Sequence, residues 1–214
     1  MIHQIFFDFG KGKKITDYKL YIQSVECWRA LAIKEGITYR LHDISTANSL
    51  IELYPKYKKF FYQLTPIQKL DFYKILLLYH YGGIYVDLDI LPNCADLSWV
   101  SYPMIRVDSG RKIRGTHFTH DFIALEQKDI RIGLNCLDYM VKEYHFKKDR
   151  YKKLRWLGRF VLQTTGSYGF SRYLKLHDIP FRPLFATTFD KKGKELYRKI
   201  DSKIIVYHTN SWTY

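Results

Sequence analysis

The segment that decides the fold runs from residue 65 to residue 90, "TPIQKLDFYKILLLYHYGGIYVDLDI". Its opening, Thr65-Pro66-Ile67-Gln68, combines a capping box with proline at the first helical position. The helix predicted from there stops at Gly82 and Gly83, and "IYVDL" leaves as a strand. Upstream, "IHQIFF" reads as a strand, followed by a helix capped near Thr16 or Asp17 and ended by Gly36. "ITYRLH" is then a second strand, and Ser45 caps a further short helix. Downstream, "THDFIALEQ" reads as a strand, and residues 129–146 carry helical spacing through Ile132, Leu137, Met140, Val141 and Tyr144. "KIIVYH" is the last strand. This β-α-β-α order predicts an α/β fold: a single Rossmann-like, mostly parallel sheet with flanking helices. With no linker or repeat in the chain, one domain over residues 1–214 is expected.

A chain of this length buries roughly 70% of its unfolded surface, and its 47% hydrophobic content excludes bulk disorder. Cys27, Cys94 and Cys136 are scattered, which gives neither a disulfide framework nor a zinc site. "MIHQIFF" carries no basic leader, and no segment reaches the ~20 apolar residues of a membrane span. A reducing cytosolic (cytoplasmic) home is expected. The net charge of +14 fits an anionic ligand, a nucleic acid, a membrane surface or plain solubility.

Asp87 and Asp89 carry the chemistry. If the strand persists, residues two apart share a face with Cα atoms about 6.6 Å apart. Two carboxylates so placed raise each other's pKa unless a cation meets them. Oxygen ligands suit Mg²⁺ or Mn²⁺, which complete their shells with substrate phosphates. The alternative is a solvated polar strand end. Asp71 and Lys74 lie three apart, on one helical face. They are either a simple salt bridge or a pair that grips the hydroxyls of a polar ligand near the metal.

These residues together resemble a known family. "LDFYKILLLYHYGGIYVDLDI" is similar to the D-x-x-R … Y-G-G-x-Y-x-D-x-D block of glycosyltransferase family 32, the DXD-containing sugar transferases. The glucosyltransferase domains of the large clostridial toxins share a related block. "IHQIFF", "QTTGSYGF" and "YHTNSW" resemble, in order, the family's I-H-Q-I-W, T-G-P and H-x-x-S-W segments, so the likeness runs from residue 2 to residue 212. It implies a GT-A fold and a Mn²⁺-dependent (Mg²⁺ as second choice), retaining transfer of a hexose from a nucleotide-sugar donor. UDP-glucose is the first choice and GDP-mannose the alternative.

Carried over, Asp89 ligates the metal, with Asp87, His208 and Asn210 as further ligands, and Asp87 also holds the ribose. Tyr85 and Phe6 flank the base, and Ile5 meets it through its backbone. Asp71 and Lys74 hold the sugar, Asp71, Lys74 and Asp87 being the catalytic set. Ser211 and Trp212 close over the donor. The family's asparagine near the sugar aligns with either His120 or Asp121. Three departures stand out: phenylalanine for tryptophan at Phe6, lysine for arginine at Lys74, and serine for proline at Ser167. Lys74 lacks the bidentate fork of an arginine.

A competing reading rests on "HFKKDRYKKLRWLGR", residues 145–159. Interleaved cations and aromatics suit a nucleic acid or an anionic surface, and also a solvated lysine-rich helix. Acceptor identity, whether glycan, protein or small molecule, is not written in these motifs.

Overall fold

The structure, a computed structural model, describes residues 1–8, 12–108, 117–153 and 157–208, with residues 151–153 and 157 described in backbone only. Six strands form the central sheet. They are β1 (Ile2–Ile5), β2 (Tyr39–His42), β3 (Gly83–Val86), β5 (Met104–Asp108), β6 (His117–Leu125) and β7 (Arg182–Phe185), in the order β2-β1-β3-β6-β5-β7. Three of the five pairings are parallel: β1 with β2, β1 with β3, and β5 with β7. The antiparallel pairs are β3 and β5 with β6. The sequence predicts one sheet; the structure adds a second, four-stranded one. Its strands β4 (Ile90–Pro92), β8 (Thr187–Asp190), β9 (Glu195–Tyr197) and β10 (Ile204–His208) lie in the order β4-β10-β8-β9.

Helices cover both faces of the central sheet, and the pleat sorts the side chains between them. Ile84, Val86, Phe122 and Ala124 pack on one face with Trp28 and Ala32 of α1 (Lys19–Lys34) and with Ile204 and Val206. Their neighbours Tyr85, Ile123 and Leu125 pack on the other face. There they meet α4 (Pro66–Tyr81), α3 (Pro55–Gln63), α5 (Leu134–Lys153) and α7 (Ser167–Leu176). The remaining helices are α2 (Ile44–Ile51) and α6 (Leu157–Thr164). Helix α4 is buried on nearly every side, from Asp71 through Leu78.

Local signals account for several boundaries. Gln68 Oε1 accepts from the Thr65 N–H at 3.2 Å and from the Thr65 hydroxyl at 3.0 Å, and Pro66 opens α4. Three sequence-based boundaries are corrected. The cap of α2 is Asp43, whose Oδ1 accepts from the Thr46 N–H at 2.8 Å; Ser45 is already inside the helix. Thr16 and Asp17 form a short 3-10 turn, so α1 starts at Lys19 without a side-chain cap. Strand β3 ends at Val86: the Asp87 N–H still reaches the Asp121 carbonyl at 2.8 Å, but the Ile90 N–H then closes on the Asp87 carbonyl at 3.2 Å. Asp87 and Asp89 therefore sit on a tight turn between two strands, and strand periodicity does not set their relation.

Gly82 and Gly83 bring β3 under the start of β1, with φ of 66° and 98°. A Cβ on Gly83 would lie 2.4 Å from the Met1 carbonyl oxygen, the group that accepts from the Ile84 N–H. Neither the backbone angle nor the close approach admits a side chain. Gly83→Ala is expected to cost about 3 kcal/mol or more. Urea unfolding checks this, and a loss below about 1 kcal/mol would contradict it.

Candidate active site

Lys74 is the hub of the polar groups under the DXD turn. It projects from α4, is 1% exposed, and its Nζ lies 3.3 Å from Asp87 Oδ1 and 3.5 Å from Asp71 Oδ1. The same ammonium stands 3.5 Å from His120 Nδ1 and 4.9 Å from the centre of the Tyr85 ring. The Tyr85 hydroxyl donates to the Asp87 carboxylate, and the Thr165 hydroxyl donates to Asp71 Oδ2 at 3.5 Å. His120 Nε2 lies 3.4 Å from Asp71 Oδ1, outside hydrogen-bonding geometry.

Burial and charge set the protonation states. Burial pushes the Asp71 carboxyl up to about 7, Lys74 opposing and Asp87 adding to the shift. Asp87 is raised as well, by burial against the pull of Lys74. For Lys74 burial opposes the charge, but the carboxylates of Asp87 and Asp71 outweigh it and raise its pKa. His120 falls well below the usual imidazole range through burial and the nearby ammonium. A neutral imidazole follows, with Nδ1 free to accept from Lys74.

The backbone of the turn is pinned from both sheets. Gln4 Nε2 reaches the Asp87 carbonyl at 3.5 Å, while Ser24 Oγ and Trp28 Nε1 donate to the Ile90 carbonyl at 2.7 and 2.9 Å. From the second sheet, the Tyr207 N–H donates to the Asp89 carbonyl at 2.9 Å. Beside the turn, Arg106 of β5 grips Asp121 of β6 through Nε, at 2.7 Å from Oδ1, and through Nη2. Burial would raise Asp121, but Arg106 outweighs it and holds the carboxyl well below the usual range.

Around these groups opens a cavity of about 390 Å³. Ile5, Phe6, Asp71, Lys74, Tyr85, Asp87, Asp89 and His208 all line it, as do both His120 and Asp121. Asn210, Ser211 and Trp212 lie outside the described residues. The Tyr85 ring is 1% exposed at the cavity wall, and its hydroxyl donates to Asp87, so it orients that carboxylate. Phe6 and Tyr18 meet at the cavity, with ring centres 6.4 Å apart and planes inclined by 58°, and Tyr21 stacks on Tyr18 at 4.8 Å. The sequence reading missed Tyr18, Tyr21 and Arg106. A lone arginine inside the apolar strand "MIRVD" was the one available signal.

Of the expected metal ligands, Asp87, Asp89 and His208 line the cavity. Among the described residues no three His, Cys, Asp or Glu side chains group as a metal site. Asp87 already meets the Lys74 ammonium and the Tyr85 hydroxyl. The charge nonetheless suits a cation. Six carboxylates line the cavity (Asp8, Asp71, Asp87, Asp89, Asp108 and Asp121) against the cations Lys13, Lys74 and Arg106. This acidic excess sits in a chain of net charge +14. A divalent ion held by one or two carboxylates and completed by phosphate oxygens fits that donor set.

In the basic segment 145–159, Lys147 folds onto Glu143 and onto the Gln163 carbonyl at 3.2 Å. Phe146 (80% exposed), Lys148 and Arg150 face solvent.

Residues 14–101 match the model of a family described as glycosyltransferase sugar-binding region containing DXD motif. Among solved structures the chain is similar to the PaToxG glycosyltransferase, with 20% identity and a TM-score of 0.56 over 82% of this chain and 68% of that one. It is also similar to a glycosyltransferase involved in glycosylation of the major capsid of PBCV-1, with 10% identity and a TM-score of 0.47 over 96% and 91%. A third similarity is to the UDP-bound glycosyltransferase domain of the YGT toxin, with 11% identity and a TM-score of 0.45 over 76% and 54%. Comparison with curated proteins finds no match. At these identities the likeness is one of fold, and the fold is GT-A.

Proposed function

Because residues 14–101 match the model of a glycosyltransferase sugar-binding region containing a DXD motif, we propose that this chain is a metal-dependent hexosyltransferase. Residues 1–214 form one catalytic domain that takes a hexose, glucose first, from a UDP-sugar and passes it to an acceptor with retention. The supporting observation is the acidic cavity itself, in which the DXD turn and the Asp71–Lys74 pair share one wall.

Asp89, with His208 and with Asn210 beyond the described residues, would hold Mn²⁺ or Mg²⁺. The chemistry supplied by that ion when bound is stabilisation of charge on the departing diphosphate. Asp87, oriented by Tyr85 and Lys74, takes the ribose. Phe6 offers a face to the base, with the Ile5 backbone at its edge. Asp71 and Lys74 hold sugar hydroxyls, and Ser211 and Trp212 close over the donor to exclude water. The bond from the sugar's anomeric carbon to the diphosphate breaks as that carbon's bond to the acceptor oxygen forms, on the same face. The acceptor's proton passes to the leaving diphosphate. No helix among the described residues is long and apolar enough to cross a membrane. A cytosolic setting is part of this proposal, with Phe146, Lys148 and Arg150 meeting an anionic surface. Sedimentation with anionic against neutral vesicles checks that contact.

Thermal unfolding with UDP or GDP, each with and without Mn²⁺, tests the reading without knowledge of the acceptor. Stabilisation by UDP only with Mn²⁺ is expected. Stabilisation by GDP alone would turn the assignment to GDP-mannose. Stabilisation by neither, together with nucleic-acid binding that collapses as salt rises, would replace the transferase by the basic-surface reading.

A further inference from the structure

Arg106, which has no part in the roles assigned above, forms a charged pair at the cavity wall with Asp121, one of the two positions aligned with the family's asparagine near the sugar. Arg106 is 1% exposed, and the Asp121 side chain keeps 16% of its surface open. Asp121 takes two guanidinium nitrogens, Nε and Nη2, and Thr119 adds its hydroxyl to Oδ1 at 2.6 Å. Nη1 is the remaining nitrogen, buried and without a hydrogen-bond partner among the described residues. Leaving a buried charged donor unpaired is costly, which marks Nη1 as a donor available to a bound ligand.

The backbone is irregular at the same place. Strands β5 and β6 pair at Ile105↔Ile123 and again at Val107↔Phe118. Between these pairs Arg106 alone faces residues 119–122 of β6. Such bulges re-aim side chains and occur next to active sites. Here the bulge carries Thr119, His120 and Asp121, all of which line the cavity together with Arg106.

We propose that Arg106 is a specificity-determining residue that donates from Nη1 to a hydroxyl of the transferred sugar, an inference that rests on the transferase reading above. The charge state selects a hydroxyl over a phosphate. Asp121 already compensates the guanidinium, so the pair as a unit is neutral and suits a neutral ligand group. Phosphate oxygens are better served by a cation at Asp89. A hydroxyl can also return a hydrogen bond to the open part of the Asp121 carboxylate, which a phosphate oxygen cannot do. The pair thus offers one donor and one acceptor in fixed geometry, the arrangement that separates one hexose from its epimers.

Calorimetric titration in MnCl₂ with UDP, UDP-glucose and UDP-galactose tests the assignment on wild-type and Arg106→Lys protein. Lysine keeps the charge and loses the fork. The wild type is expected to bind one UDP-sugar more tightly than UDP. In Arg106→Lys that sugar-bearing nucleotide should weaken about tenfold or more, while UDP changes less than about twofold. Equal weakening of UDP and UDP-sugar would overturn the proposal, because Arg106 would then serve the diphosphate or the DXD turn. Unchanged binding in a folded variant would overturn it too. Should Arg106→Lys fail to fold, the neutral double variant Arg106→Gln/Asp121→Asn replaces it, with the same selective loss expected. A wild type that binds UDP with Mn²⁺ but gains nothing from either hexose removes the sugar contact alone. A wild type that binds no UDP removes the transferase reading and this role together.

Discussion

Asp89→Ala protein is expected to fold normally and to lose every Mn²⁺-dependent response to UDP. Ligand near 100 times its Kd contributes about 2.7 kcal/mol, which at this chain length raises Tm by roughly 5–11 °C. Wild-type protein should show that shift and the variant none, while the two unfold together in the absence of nucleotide. The backbone of the turn survives the substitution: the Asp89 carbonyl accepts from the Tyr207 N–H at 2.9 Å, and alanine keeps that bond. Once an acceptor is known, or with donor hydrolysis as the readout, turnover should fall by roughly three orders of magnitude, the several kcal/mol a metal supplies to a leaving group. Asp87→Ala is a poorer probe, since it also removes one of the two carboxylates that serve Lys74 and leaves the Tyr85 hydroxyl without its acceptor. A shift retained in Asp89→Ala would place the metal elsewhere and remove the central claim about this turn.

What the sequence disclosed about this site depends on how far apart in the chain the partners lie. The run from Thr65 to Ile90 was readable because its signals are local: a capping box, a proline, two glycines and then an apolar strand. Helix α4, the start of β3 and the pairing of Asp71 with Lys74 appear as expected. The geometry of the DXD turn was not readable, because the Ile90 N–H turns back onto Asp87 in competition with continued pairing to β6, and β6 lies some thirty residues later. The second sheet was hidden for the same reason. It joins Ile90–Pro92 to strands more than ninety residues further on, and the three-residue β4 carries no periodicity to read. Ser45 and Asp43 are equally good caps by type; burial of Ala47, Leu50 and Ile51 decides between them. Arg106 and Asp121 were opaque, because a bulge in β6 brings them together and a bulge leaves no residue pattern behind.

Replacing Lys74 with methionine tests the same network from its other side, and pH separates the possible outcomes. Removing one member of a buried ion pair typically costs 3–5 kcal/mol, and here one ammonium serves both Asp71 and Asp87. Without it, both carboxyls rise above their present positions, which are already elevated by burial. The sign follows. A carboxyl whose folded pKa lies above its unfolded value contributes stability that is full below the unfolded value and is lost as pH climbs through the folded one. For Asp71 in the wild type that window runs from about 4 to about 7. In Lys74→Met the window extends higher and Asp87 joins it. The destabilisation should therefore approach about 3–5 kcal/mol at pH 8 and shrink by more than half at pH 5, where protonated carboxyls need no cation. Two buried histidines act in the opposite sense. Burial lowers His3 to about 3 and His42 to about 4, so the unfolded chain gains protons first as pH drops below 6.5, and stability falls with it. Both proteins share that loss, which cancels in the difference between them. Urea unfolding of the pair in EDTA at pH 5, 6.5 and 8 isolates the carboxyl contribution. A difference that stays constant with pH would mean that Lys74 matters for packing, and that Asp71 and Asp87 are held by something other than its charge.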